Sequence, residues 1–217
     1  MLELPLFPLN TVLFPGATLH LHIFEKRYKR MIAECIRKEL PFGVVLIRHG
    51  LEALGPLAEP FQVGTIARIT KVDRLESGQM NITTIGQDRF KIVSLEPDLY
   101  PYLIGYVEPF PIRENNPAQL GALSLKLRKW VMKYLDLLAE TGVGQFDADQ
   151  FAGEPVGLAY EAAAILQLSN LQKQKLLSLE WADLLLGDLV QLFRKEIAFT
   201  KAFSVKDTLS PGLFSSN

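Results

Sequence analysis

The placement of proline constrains this 217-residue chain more than any other feature. Eleven of its 13 prolines lie at or before Pro117, and only Pro155 and Pro211 follow. Proline has no backbone N–H and breaks helix interiors, so the first part is expected to be strands and loops and the second helical. The change-over falls in PFPIRENNP, Pro109 to Pro117, with three prolines and two adjacent asparagines and little to bury. Residues 1–112 are expected to form one subdomain, 113–203 a second, and 204–217 a mobile tail.

Within the first part, TLHLHI (Thr18 to Ile23) reads as a strand. After it Phe24, Tyr28, Met31, Ile32, Cys35 and Ile36 recur at helical spacing through Leu40, one apolar stripe with charge opposite. Pro41 helps to end that helix, and GVVLI (Gly43 to Ile47) reads as a buried strand. VGTIARITKV, MNITTI, FKIVSL and YLIGYV follow, rich in β-branched residues. Ser77-Gly78 and Gly86-Gln87-Asp88 stand between them as hairpin turns. Antiparallel strands with one interposed helix close most economically into a small barrel, which removes exposed edges.

The second part contains helical patterns. Leu120, Leu123, Leu127, Val131, Tyr134 and Leu138 mark the buried side of the first, and Thr141 to Glu154 is too polar and glycine-rich to continue it. Pro155 suits a first helical turn, and Ser169 with Gln172 has capping-box spacing. The last helix, about Asp183 to Phe203, carries Leu186, Leu189, Phe193 and Ile197 on one stripe and Leu185, Leu192 and Phe199 on another.

Patterns that carry chemistry are mostly missing. The sequence has no Gly-Lys pair for a P-loop, no G-x-S-x-G elbow and no G-x-G-x-x-G fingerprint. Its single cysteine, Cys35, excludes an internal disulfide and sits on the apolar stripe as a small hydrophobe. His20 and His22 point the same way on a strand, but a metal needs a third ligand from elsewhere, and local hydrogen bonding is the better reading. Asp147 and Asp149 lack the oxygen and glycine that a calcium loop places next, since Phe151 and Ala152 stand there. No metal site and no cofactor is expected.

Lys26, Arg27, Lys29, Arg30, Arg37 and Lys38 give the first helix a basic face, offset by Glu25, Glu34 and Glu39. Tyr102, Tyr106 and Phe110 alternate as a stacking platform for bases might, although strand aromatics more commonly pack in a core. With 23 basic and 24 acidic residues and a net charge of −1, nucleic acid is not the favoured partner. MLELPLFPLN lacks a basic region like that of a signal peptide, and no apolar run approaches a membrane span, so a cytoplasmic protein with no membrane partner is expected.

PLFPLNTVLFPG (Pro5 to Gly16), then LHLHIFEKRYKRMI (Leu19 to Ile32), resembles the N-terminal substrate-binding domain of the Lon protease family, above all the stand-alone proteins that carry this domain. VGTIARI, Gly86 with Arg89-Phe90, Tyr100-Pro101 and LQKQKLLSLE extend the likeness over nearly the whole chain. The resemblance implies an α+β fold: an N-terminal PUA-like antiparallel β-barrel with an interposed helix, then a C-terminal α-helical bundle. It implies a non-catalytic module that binds unfolded or damaged polypeptides and hands them to a protease acting in trans. The ATPase and Ser–Lys peptidase modules of Lon have no counterpart here, so no enzymatic activity is expected.

The motif positions are Phe14, Pro15, Gly16, His22, Phe24, Glu25, Arg27 and Tyr28, which read as scaffold first and binding site second. Pro15-Gly16 is expected to turn the chain, and Phe24 and Tyr28 to share one helix face. The groove is expected where barrel meets helices, with Leu192, Phe199 and Phe203 as its apolar wall. The alternative is an RNA-binding module, since PUA-like barrels elsewhere bind RNA.

Overall fold

The computed structural model describes residues 1–52, 55, 57–140, 151 and 153–208, without the side chains of Ser77 and residues 203–208. Asp147, Asp149 and the last nine positions of the expected tail lie outside the described residues.

The elements run β1 (Leu2–Leu9), β2 (Thr18–Ile23), α1 (Lys26–Lys38), β3 (Phe42–His49), β4 (Glu59–Pro60), β5 (Val63–Arg74), β6 (Met80–Glu96) and β7 (Leu103–Pro109). Among the described residues α2 (Pro117–Glu140), α3 (Pro155–Ile165), α4 (Asn170–Leu177) and α5 (Ala182–Thr208) follow. The division made by proline is therefore the division between sheet and helices. α1 buries Tyr28, Met31, Ile32 and Cys35, the stripe read from the sequence. The capping box forms as expected: the Ser169 hydroxyl accepts from the backbone N–H of Gln172, whose side chain accepts from the Ser169 backbone N–H.

Four readings need correction. The opening segment, given no element from the sequence, joins the sheet as β1, and the sheet is not wholly antiparallel. β1 pairs antiparallel with β7 on one side and parallel with β3 on the other, so not every pairing is antiparallel. Gly86-Gln87-Asp88 is not a turn but the middle of one 17-residue strand, β6, where the register against β5 shifts between Thr65 and Ala67. Phe24 precedes α1 and is 45% exposed, so it does not share the buried face of Tyr28. α5 runs on to Thr208, beyond the expected start of the tail at Ser204.

The pairings β1–β7–β6–β5–β3 return through β3 to β1, and the sheet is buried on both faces around β1 and β3. β1 shows why. Leu4 and Leu6 join Val45, Phe90 and Val107 in one cluster, while Phe7 and Leu9 join Tyr28, Ile32 and Phe42 under α1. A third cluster holds the helices together and draws in Phe14 and Val63 from the first part. Helices and sheet thus share a core.

Gly86 explains the uninterrupted strand. The Gly16 N–H donates to the Gly86 carbonyl and the Gly86 N–H to the Ala17 carbonyl, both at 2.9 Å. A Cβ on Gly86 would lie 2.3 Å from the Phe14 carbonyl oxygen, so only glycine lets the Pro15-Gly16 turn dock on β6. Gly16 itself has φ +79° and open space around it. Gly16→Ala should cost about 1–2 kcal/mol for its backbone conformation alone. Gly86→Ala should cost more, about 3 kcal/mol, because backbone must move. Urea unfolding of the two variants measures the order, and the reverse order would contradict this docking.

Candidate functional site

Where the sheet meets the helices the surface folds into a recess of about 380 Å³. Leu2, Ile66 and Val107 supply its sheet side, Phe110 and Ile112 its floor beyond β7, and Val156 and Tyr160 of α3 its far wall. Asp88 and Glu108 stand on its lining as exposed carboxylates. The other lining residue of consequence is Arg89 on β6, which is only 3% exposed.

Arg89 Nη1 donates to the carbonyls of Leu177 and Leu179 at 2.5 and 2.6 Å. Leu177 is the last residue of α4, whose final carbonyls have no partner within the helix and carry the negative end of its dipole. The guanidinium lies 4.8 Å from the Phe110 ring centroid and 5.9 Å from that of Tyr160. Burial lowers its pKa below the ordinary arginine value and raises that of Tyr160. Phe14 stacks on Tyr160 from the other side at 6.3 Å, so the Phe-Pro-Gly turn supports the recess from beneath.

The positions singled out in the sequence are not brought together. Pro15 lines the recess, and Phe14 lies behind it in the core. Gly16 is the exposed turn described above. A second hollow of about 280 Å³ lies at the motif's other end, among His22, Phe24, Glu25 and Tyr28. There His22 Nδ1 sits 2.7 Å from Asn81 Oδ1 and its ring stacks on Phe24 at 5.9 Å. Arg27 pairs with Glu25 at 3.1 Å and donates to the Gly55 carbonyl at 3.1 Å, while Tyr28 stacks on Phe7 at 4.1 Å. These residues chiefly tie the entry of α1 to the sheet.

The expected wall on α5 is not part of the junction recess. Leu192 is half-buried beside Lys175, Asp188 and Lys195, and Phe199 is 60% exposed. The Phe203 side chain lies outside the described residues.

His20 Nδ1 sits 3.2 Å from Thr83 Oγ1, and among the described residues no His, Cys, Asp or Glu cluster has the makings of a metal site. On the basic face of α1, Glu34 pairs with Lys38 at 2.7 Å and Arg37 at 3.7 Å. Tyr102 is buried and its hydroxyl donates to Glu34, while Phe110 packs on Arg89, so these aromatics form no open platform. Among the described residues no helix is long and apolar enough to cross a membrane. Sequence reasoning missed Arg89, Ile112, Val156 and Tyr160 as a group. The only signal was Gly86 with Arg89-Phe90, noted for its family likeness.

Cys35 is buried, and desolvation pushes its thiol up to about 11. At pH 8 native Cys35 should react with a disulfide reagent roughly a hundredfold more slowly than in urea. Because the folded state holds this proton more tightly, the stability it contributes is whole below about pH 8.5 and is lost as pH rises through 11. Fast native labelling at pH 8 would contradict the burial. Arg89→Met should lower stability by about 2–4 kcal/mol in urea, since two helix-end carbonyls lose their donor. Arg89→Lys should restore less than half of that loss, because an ammonium lacks the planar face that packs on Phe110 and Tyr160.

The chain matches the ATP-dependent protease La (LON) substrate-binding domain over residues 3–184. It is 28% identical to a Lon protease of Anaeromyxobacter dehalogenans over 176 residues, 80% of this chain and 21% of that protein. It is 35% identical to a Lon protease of Parabacteroides distasonis over 145 residues, 63% of this chain and 17% of that one. The chain thus spans about a fifth of the length of the curated relatives it matches. A Lon N-terminal domain protein from Xanthomonas campestris has a similar structure, with TM-score 0.62 and 28% identity over 88% of this chain and 98% of that one. The N-terminal domain of Mycobacterium avium complex Lon protease shares the fold, at TM-score 0.64 and 19% identity over the same shares. With a mixed α/β fold like theirs and a family match over most of its length, this chain belongs to the Lon substrate-binding domain family.

Proposed function

We propose that this protein is a non-catalytic module that holds unfolded or damaged polypeptide segments in the recess between sheet and helices. The observation that carries this reading is the recess itself: an apolar hollow built by both parts of the chain, in a family defined by substrate binding. Apolar side chains of an unfolded segment would be buried against Ile66, Val107, Ile112 and Val156, at roughly 25 cal/mol per Å² removed from water. A native client keeps such side chains in its own core, which gives the discrimination without any recognition of sequence.

In this reading the sheet, closed by the β1–β3 pairing, is a PUA-like barrel, the α2–α5 helices are the bundle set on it, and the protein works in the cytoplasm. The module alters no covalent bond, and a separate protease cuts what it presents. The family match is to a substrate-binding domain, which supports the holding role. RNA is the weaker partner. The basic face of α1 is laced with ion pairs, and the chain's net charge is −1.

Immobilised protein should retain the unfolded form of a client and release its native form. Val156→Trp, which fills the recess from α3, should lower capture about tenfold while leaving the circular dichroism spectrum unchanged. Equal capture of both forms, or full capture by the Trp variant, would defeat the reading.

A further inference from the structure

Building on the recess as the polypeptide site, and resting on that reading, we propose a definite ligand for it. The recess takes the C-terminal carboxylate of a chain whose last residues are apolar, with Arg89 presenting its Nε and Nη2 edge to the two oxygens.

The reason lies in an unfinished set of hydrogen bonds. Arg89 Nη1 is engaged by the Leu177 and Leu179 carbonyls, but Nε and Nη2 are buried with no hydrogen-bond partner among the described residues. A buried cation is ordinarily matched by a carboxylate. Here Glu180, which follows the Leu179 acceptor in sequence, pairs instead with Arg113 at 3.5 Å. Nε and Nη2 form the side of the guanidinium that offers two parallel N–H donors, the arrangement that a carboxylate meets with both of its oxygens.

The surroundings select a chain end. At about 380 Å³ the recess stands at the small end of the range for ligand pockets, on the order of 300–1,000 Å³, which suits a terminus better than a long through-running segment. A terminus also sets its carboxylate beside its last side chain, as Arg89 is set beside Phe110, Ile112 and Val156. Phe110 covers the guanidinium and is only half-buried, so a ligand reaches the edge by turning that ring aside. The exposed Asp88 and Glu108 then disfavour acidic side chains just before the terminus.

The test uses fluorescein-labelled peptides of one apolar sequence in three forms: free C-terminal acid, C-terminal amide, and amide with one internal Asp. Fluorescence anisotropy on the full chain should show the acid binding about tenfold to a hundredfold more tightly than the amide. Arg89→Lys should shrink that difference severalfold, and if this variant does not fold, the comparison on the unaltered chain still decides. Equal affinity for acid and amide would overturn the carboxylate assignment while leaving the recess as a polypeptide site. An internal-Asp peptide matching the acid would overturn the chain-end assignment. Binding of none of the three would overturn it too, and capture of unfolded clients would then show whether the broader reading also fails.

Discussion

A single buried guanidinium fastens the two parts of this molecule together. Arg89 belongs to the longest strand of the sheet, yet its hydrogen bonds go to the end of α4 and the residues that follow. Those carbonyls need donors wherever the helix ends, and a fixed cation meets both that need and the helix dipole. Other links run alongside it. The Gln174 amide donates to the Val63 carbonyl at 3.0 Å, and backbone bonds join Arg113 to Glu180 and Ala182. Arg89 differs from these because it reaches the joint from the centre of the sheet and brings a charge into it.

That manner of joining also accounts for the recess. Helices packed on a sheet by apolar side chains alone tend to close the space between them. Here aromatic rings stand around a charged group that its two carbonyl acceptors hold in place. Phe110 and Tyr160 face Arg89, Phe14 packs on Tyr160, and the hollow lies beside them. Gly86 sets the level of this arrangement, because its missing side chain brings the Pro15-Gly16 turn down onto β6. The family motif therefore acts at two removes. It supports the recess through Phe14 and Pro15, and at its other end it ties α1 to the sheet.

Much of the fold was legible in the sequence because it follows from periodicity and from backbone chemistry. The stripe of α1, the capping box at Ser169 and the start of α3 at Pro155 are local signals that tertiary packing did not override. β1 was illegible because two prolines argue against a strand, yet Leu4, Leu6, Phe7 and Leu9 are buried on both faces. Gly86 misled because glycine marks both turns and close approaches, and the partner that decides, Phe14, is distant in sequence. Arg89 lay beyond reach for a similar reason. An arginine in a strand reads as solvated, and its acceptors stand some 90 positions away. A recess does lie at the junction, but its lining comes from the sheet, from α3 and from the segment between β7 and α2 rather than from α5.

The central claim is that an unfolded chain is gripped at the sheet–helix junction. Amide and methyl chemical shifts recorded while a permanently unfolded apolar polypeptide is titrated in test it most directly. The account predicts that the largest shifts gather at Ile66, Arg89, Phe110, Ile112, Val156 and Tyr160. Shifts confined to Leu192 and Phe199 on α5, or to His22 and Phe24, with the junction unmoved, would contradict it.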